Sequence, residues 1–131
     1  MDSVARFRLG LRAWNDQDWQ RLGAFYASDA VLRHPEGWPE PGPTVGREAI
    51  VGQWQSTWQA FDGAELRVVA TSSAGQWVVG HLSFEFVGGA SGLDVTTDFT
   101  AVCRFRDGEC VEHRVLWGHL APADAVAAQV S

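Results

Sequence analysis

The chain has 131 residues, a length typical of one domain; 46% of them are hydrophobic and 20% are charged. This composition predicts one soluble domain over residues 1–131, and no window reaches the ~18–20 apolar residues that a membrane span needs. The net charge of −6 argues against nucleic acid as a partner, and the complete lack of lysine excludes Schiff-base chemistry. The first ten residues have no apolar core of the signal-peptide type, which predicts a cytoplasmic location.

Three helices are predicted in the first half of the chain from apolar residues spaced three or four apart. The first helix carries the stripe Val4, Phe7, Leu11 and Trp14. The second, capped by Asp16 or Asp18, carries Trp19, Leu22, Phe25 and Tyr26. The third carries Ile50, Trp54, Trp58 and Phe61 and is predicted to end at Asp62-Gly63.

A long proline-rich connection separates the second and third helices. The segment "SDAVLRH" is predicted to be a short strand, and "VLRHPEGWPEPGPTVG" leads from it to the third helix. A tryptophan between prolines has little core to enter, so Trp38 is expected either to cap a pocket or to pack on a partner. The connection is therefore either a stiff linker or the rim of a binding site that includes His34.

The second half of the chain is predicted to form four antiparallel strands and a short tail helix. "AELRVVATSS", "QWVVGHLSFEFV", "LDVTTDFTAVCRFR" and "ECVEHRVLWGHL" are the extended segments, and "PADAVAAQV" is the tail. In the second strand, the residues from Val78 to Phe86 that alternate with His81 and Glu85 form the better core face. Helices followed by antiparallel strands indicate an α+β fold with the helices covering one face of the sheet.

The register of the last hairpin decides which side chains point inward. A two-residue turn at Asp107-Gly108 would mix apolar and charged residues on both faces. A three-residue turn would pair Ala101 with His113 and give one apolar face, so that register is predicted. His113 then points toward the helices and Asp98 points away from them. Cys103 and Cys110 would lie on opposite faces, so no disulfide is expected between them.

The motifs "WNDQDWQRLGAFYASDAV", "HPEG", "VGREAI" and "FRDGECVEHRVLWG" occur in an order that resembles the nuclear transport factor 2-like superfamily. That superfamily includes ketosteroid isomerases, SnoaL-like polyketide cyclases and limonene epoxide hydrolase. The resemblance covers most of the chain. It implies a cone-shaped α+β barrel in which three N-terminal helices pack on a strongly bent antiparallel sheet around a pocket. It also implies a homodimer formed through the outer sheet face, but it does not imply one chemistry.

The resemblance also suggests where a base would lie. In the isomerases an Asp stands before a Pro at the end of the first strand, and here His34 stands before Pro35. The two positions of the isomerase oxyanion-binding pair hold Gly10 and Ala101, so the usual steroid isomerase chemistry is not expected. The epoxide hydrolase Asp that follows the strand Arg is replaced by Val115.

His34 and His113 are thus the candidate catalytic residues, since imidazole exchanges protons near neutral pH. The alternative is that both only pack and form hydrogen bonds. The predicted ligand-binding residues are Tyr26, Trp38, Trp54, Trp58, Phe99 and Trp117. No histidine or cysteine spacing is typical of a metal site, and neither a metal nor another cofactor is predicted.

Two functions are consistent with these residues. The first is a cofactor-free isomerase, cyclase or lyase that uses His34 as general acid and base on an apolar carbonyl or ring substrate. The second is a ligand-binding or dimerisation module without catalysis. Both imply an apolar small-molecule ligand or a second copy of the chain as partner, and neither implies a membrane.

Overall fold

The structure, a computed structural model, describes residues 2–38, 42–61, 63–88 and 93–130. The helices are α1 Ser3–Asn15, α2 Trp19–Phe25, α3 Arg47–Gln59 and α4 Pro122–Val130. The strands are β1 Tyr26–Arg33, β2 Thr44–Val45, β3 Gly63–Ala74, β4 Trp77–Gly88, β5 Leu93–Arg106 and β6 Glu109–Trp117. Asp62, where α3 was expected to end, lies outside the described residues, as do Pro39 to Pro41.

The predicted helices form for the expected local reasons. The carboxylate of Asp2 accepts a hydrogen bond from the backbone N–H of Ala5 at 2.7 Å, which caps α1. Asp18 caps α2 by accepting from the backbone N–H of Arg21 at 3.2 Å. One boundary differs from the prediction: α2 ends at Phe25, so Tyr26 begins β1 and does not belong to the helix.

The six strands form one open mixed sheet in the order β2-β1-β6-β5-β4-β3. The predicted α+β fold is confirmed, with one difference, because β1 runs parallel to β6 and the sheet is not purely antiparallel. These two strands are far apart in the sequence, so no hairpin turn forces them to run in opposite directions. No helix in the described part of the chain is long and apolar enough to cross a membrane.

The hairpin register is the main correction to the sequence analysis. The turn has two residues, since Asp107 and Gly108 both have positive φ, at 52° and 81°, and Arg106 pairs with Glu109. A bulge next to Phe105 then shifts the register, so that Ala101 pairs with Val115 and not with His113. The shift from the predicted pairing is two residues, so His113 still points to the helix side of the sheet.

The same bulge overturns the predicted orientation of the cysteines. Phe105 pairs with Cys110 and Cys103 pairs with His113, which brings both thiols to the core side of the sheet. Both cysteines are free and fully buried. Burial raises the pKa of the Cys103 thiol, and a hydrogen bond with Cys110 raises it further.

The core lies between the helices and the inner face of the sheet. On β4 the predicted core residues Val78, Leu82 and Phe84 are buried. Gly80 lies among them because a Cβ at that position would be 2.4 Å from Cζ of Phe7. The absence of a side chain there lets α1 approach the sheet closely. The tail helix α4 packs on the opposite face through Ala125, against Val79 and Val102.

Candidate active site

An apolar cavity opens between the helices and the sheet, and we call it the aromatic cavity. Its volume is about 80 Å³. It is lined by Phe7, Gly10, Leu11, Trp14, Leu22, Phe25, Tyr26, His34, Pro35, Trp38, Trp54, Thr57, Leu66, Leu82, Phe84, Phe99, Ala101, His113 and Val115. Both candidate catalytic histidines are among these residues, and no carboxylate is among the described ones.

His34 lies where β1 gives way to the proline-rich connection, and α3 fixes its ring. Its Nε2 is 2.8 Å from Oε1 of Gln53, and the same oxygen accepts a hydrogen bond from the Thr44 hydroxyl at 2.7 Å. An amide oxygen only accepts, so Nε2 of His34 carries the proton in this arrangement and Nδ1 carries the lone pair. The indole of Trp38 stacks on the imidazole at 5.3 Å with 7° between the planes. The ring of His34 is therefore held from one edge and one face.

His113 reaches the cavity from β6 and is held by a partly buried hydrogen-bond chain. Nε1 of Trp54 donates to the Tyr26 hydroxyl oxygen at 3.0 Å, and this hydroxyl is 2.9 Å from Nδ1 of His113. An indole can only donate, so the tyrosine proton is available for Nδ1. His113 then carries its own proton on Nε2.

The pKa values of His113 and Tyr26 keep this hydrogen-bond chain uncharged. Burial, together with a smaller contribution from the nearby charge of protonated His34, lowers the pKa of His113 to about 4. Burial raises the pKa of Tyr26 well above its usual value, with smaller contributions from Cys110 and Cys103. Near neutral pH, His113 is thus a neutral imidazole and Tyr26 a neutral phenol.

Four of the six predicted ligand-binding residues line the aromatic cavity: Tyr26, Trp38, Trp54 and Phe99. Trp58 is not among the lining residues. Its ring stacks on Trp14 at 5.4 Å and its Nε1 donates to the Trp14 carbonyl at 2.8 Å. Trp58 therefore supports the cavity wall from behind.

Trp117 lies outside the cavity at its rim, with 46% of its surface exposed. One side of its ring stacks on Phe99 at 5.1 Å, and the Trp38 ring lies 6.3 Å away. Its Nε1 donates to the backbone carbonyl of Glu36 at 2.7 Å. Trp117 thus ties the proline-rich connection to the end of β6.

The positions that hold the oxyanion pair in the isomerases lie in the cavity wall. Gly10 and Ala101 both line it, and neither offers a polar side chain. The ring of Phe25 fills the space beside Gly10, where an added Cβ would be 2.7 Å from Cδ1. A polar atom of the wall was missed by the sequence analysis, since Nε1 of Trp14 is buried and has no hydrogen-bond partner among the described residues. Its helical spacing had indicated a core residue only.

Gln53 was also missed, because a glutamine beside a tryptophan on an amphipathic helix looks like a surface residue. The structure turns it toward His34 and Thr44. Among the described residues, no group of three or more histidine, cysteine or acidic side chains is arranged to hold a metal ion.

Comparison with known proteins assigns the family. Residues 7–113 match the model of the SnoaL-like domain, so the chain belongs to the SnoaL-like family. None of the curated proteins matches the sequence.

Solved structures share the fold. IdmH from Streptomyces antibioticus, a candidate polyketide cyclase, superposes with a TM-score of 0.80 at 21% identity over 99% of both chains. A candidate polyketide cyclase from Xanthomonas campestris gives 0.78 at 21% identity over 98% of this chain and 96% of its own. An epoxide hydrolase from M. tuberculosis gives 0.73 at 17% identity over 88% and 81%. These likenesses establish the nuclear transport factor 2-like fold.

Proposed function

We propose that this protein is a cofactor-free isomerase or cyclase that acts on an apolar carbonyl or ring compound, with His34 as general acid and base. The observation that carries the proposal is that His34 and His113 line one aromatic cavity with different hydrogen-bond roles. Proteins of the same fold that are described as candidate polyketide cyclases support the reaction class.

His34 suits the role of the base. Its Nε2–H is bound to Gln53, so the lone pair on Nδ1 is available to take a proton. The stacked ring of Trp38 holds the imidazole in one orientation, which reduces the entropy lost when substrate and base meet.

His113 suits the role of hydrogen-bond donor to the substrate oxygen. A neutral imidazole whose Nδ1 accepts from Tyr26 has its Nε2–H left to donate. The Nε1–H of Trp14, another residue of the wall, has no partner in the part of the chain that the structure describes and is a second candidate donor. Donors in a cavity with little water stabilise a developing oxyanion strongly.

The proposed reaction begins when Nδ1 of His34 removes a proton from the carbon next to the substrate carbonyl. The electron pair of the C–H bond moves to the carbonyl oxygen, which accepts the hydrogen bond of His113. In an isomerisation, the protonated His34 returns the proton to a different carbon of the conjugated system. In a cyclisation, the enolate carbon attacks a second carbonyl of the same molecule, and His34 protonates the new alkoxide.

Proton abstraction is common to both reactions and can be measured without knowing the natural substrate. The assay is the exchange of α-hydrogen for deuterium in 2-cyclohexenone dissolved in D₂O, followed by NMR with and without the protein. His34→Ala is expected to lower the protein-dependent rate by about 10²- to 10⁴-fold, the usual contribution of a general base. His34→Asp, which introduces the carboxylate of the isomerases, is expected to restore part of it.

The control is His81→Ala, because His81 lies on the outer face of the sheet and bonds to the Leu120 carbonyl. It is expected to leave the exchange rate unchanged. Unchanged exchange in His34→Ala would remove His34 from the mechanism. Exchange no faster than in buffer for the native protein would favour the second function.

The second function is a ligand-binding module, and the composition of the cavity wall favours it. Apart from the two histidines, Tyr26 and Thr57, the lining side chains are apolar or indole rings. Such a wall binds an apolar molecule without any chemistry. Binding of cyclohexenone without deuterium exchange, measured by calorimetry, is the outcome that separates this function from the first.

A cytoplasmic homodimer formed through the outer sheet face is also part of the proposal. The part of this face that α4 leaves uncovered carries a salt bridge between Arg104 and Glu112, whose charged atoms are 3.0 Å apart. Such a face suits a polar contact between two copies. Light scattering after size exclusion tests it, and a mass of 14.3 kDa would contradict it.

A further inference from the structure

A second concave site lies beside the aromatic cavity, on the outer side of its rim. This arginine groove has a volume of about 580 Å³. It is lined by Arg33, His34, Pro35, Glu36, Gly37, Trp38, Gly42, Pro43, Glu112, Arg114, Ala128 and Gln129. His34, Pro35 and Trp38 line both sites, so the groove and the cavity share one wall.

Two arginines stand side by side in the groove. Arg33 at the end of β1 is directly opposite Arg114 of β6 in the parallel register. Neighbouring like charges on paired strands are unfavourable unless an opposite charge lies near them. Among the described residues, neither arginine takes part in an ion pair with a carboxylate within 4.0 Å.

Arg114 carries a further unsatisfied group. Its Nε is buried and has no hydrogen-bond partner in the described part of the chain. A buried N–H without a partner is unfavourable, and in native proteins such a group usually meets a water or a ligand. The groove therefore lacks an acceptor at this position.

The charge balance of the groove defines the ligand. Glu112 lies 3.0 Å from Arg104, so its charge is already balanced. Among the described lining residues, the charge of Glu36 offsets that of one of the two arginines, which leaves one net positive charge. One negative charge completes the set. A carboxylate has one charge and two oxygens in a plane that match a guanidinium.

We propose that the arginine groove binds the carboxylate of a ligand whose ring occupies the aromatic cavity. The inference rests on the proposed function and adds to it that the substrate is an organic acid. The cavity holds roughly five to eight water-sized spheres at ~10–15 Å³ each, enough for one six-membered ring. In this arrangement the linker between the ring and the carboxylate of the ligand passes over His34 and Trp38, which line both sites.

The test compares 4-phenylbutyrate with its uncharged amide, both measured by calorimetry on the full chain. The native protein is expected to bind the carboxylate about 10- to 100-fold more tightly than the amide, as for hydrogen bonds to charged groups. Arg33→Ala and Arg114→Gln are each expected to weaken the carboxylate by about 10-fold or more and to leave the amide unchanged. Arg12→Gln is the matched control, since this exposed residue of α1 lies outside both sites.

Cavity-filling variants test the other half of the ligand. Ala101→Met and Thr57→Phe are expected to weaken both probes at least 10-fold, and either variant suffices if the other fails to fold. Equal affinity for acid and amide, or no effect of Arg33→Ala, overturns the proposal. Carboxylate binding that ignores both cavity-filling variants also overturns it. If the binding results are as expected but the native protein shows no His34-dependent deuterium exchange, the proposed reaction is wrong and the carboxylate site stands.

Discussion

The two sides of the rim handle polar groups in opposite ways. On the cavity side, Tyr26, Trp54 and His113 are polar but uncharged, and two hydrogen bonds join them. On the groove side, Arg33 and Arg114 keep full charges and lack a partner among the described residues. Buried polar groups must satisfy one another, whereas groups that meet solvent or a ligand need not. The proposed ligand accordingly has its uncharged ring in the cavity and its charged group in the groove.

The largest effect is expected from removing the Tyr26 hydroxyl. Tyr26→Phe leaves Nε1 of Trp54 and Nδ1 of His113 without partners in the core. Each such group costs ~1–3 kcal/mol, so the free energy of unfolding should fall by ~3 kcal/mol in urea titration. Ser56→Ala removes an exposed hydroxyl and should change it by less than ~0.5 kcal/mol. Equal effects of the two variants would show that the hydrogen bonds of Tyr26 with Trp54 and His113 do not stabilise the fold.

The next effect is a pH dependence that belongs to the cavity side. The folded pKa of His113 is about 4 and its unfolded value is 6.5, so the unfolded chain binds more protons between these values. Stability from this group is complete above pH 6.5 and is lost as the pH falls toward 4. The loss between pH 7 and pH 5 amounts to ~2 kcal/mol. Urea titrations at several pH values measure it.

His113→Asn is expected to remove this part of the pH dependence. His81→Gln, a change on the outer face, should keep it. An unchanged slope in His113→Asn would mean that His113 is charged or exposed in solution.

A smaller effect is expected where the two sides meet. Trp117→Phe keeps the stacking on Phe99 but loses the hydrogen bond to the Glu36 carbonyl. Stability should fall by ~0.5–1.5 kcal/mol, and the backbone amide of Trp38, which bonds to the Pro35 carbonyl, should exchange its hydrogen faster. Trp77→Phe, remote from the rim, should leave that amide unaffected. If hydrogen exchange at the Trp38 amide is unchanged in Trp117→Phe, the hydrogen bond from Trp117 does not hold the rim to β6.

The smallest effect belongs to the groove side. Glu112→Gln breaks the pair with Arg104, whose side chains are 47% and 29% exposed. The loss of stability should be ~0–1 kcal/mol and should disappear in 1 M salt. The same variant frees a positive charge beside the groove, so 4-phenylbutyrate should bind more tightly. Weaker binding would contradict the charge balance assigned to the groove.

The fold could be predicted from the sequence because its rules are local. Apolar spacing defined the three helices, and the Asp107-Gly108 turn defined the last hairpin. The inward direction of His113 was also predicted, although its strand partner was wrong. Beyond the bulge the register error is two residues, which keeps His113 on the predicted face, whereas Cys110, between the turn and the bulge, changes face.

The remaining features depend on contacts that no local pattern reveals. The bulge that turns Cys110 inward lies where the pairing shifts between Arg104 and Phe105, and the Asp107-Gly108 turn does not specify it. The pairing of Arg33 with Arg114 requires the parallel contact of β1 and β6, which lie at distant positions in the chain. Gln53 reaches His34 only when α3 lies against β1, so the orientation of the imidazole could not be read from the sequence.

Gly80 and Phe7 have a consequence for how this protein can be redesigned. The ring of Phe7 lines the cavity and also rests on Gly80, where an added Cβ would be 2.4 Å from its Cζ. The ring of Phe7 therefore limits the size of the cavity on the side of Gly80. Replacing Phe7 by a smaller side chain would lengthen the cavity along its axis while both histidines and both arginines keep their positions. Substitutions at Phe7 would thus change the size of ligand that fits, while the histidines and arginines that contact its polar groups stay the same. Ligand size and ligand chemistry could therefore be engineered separately.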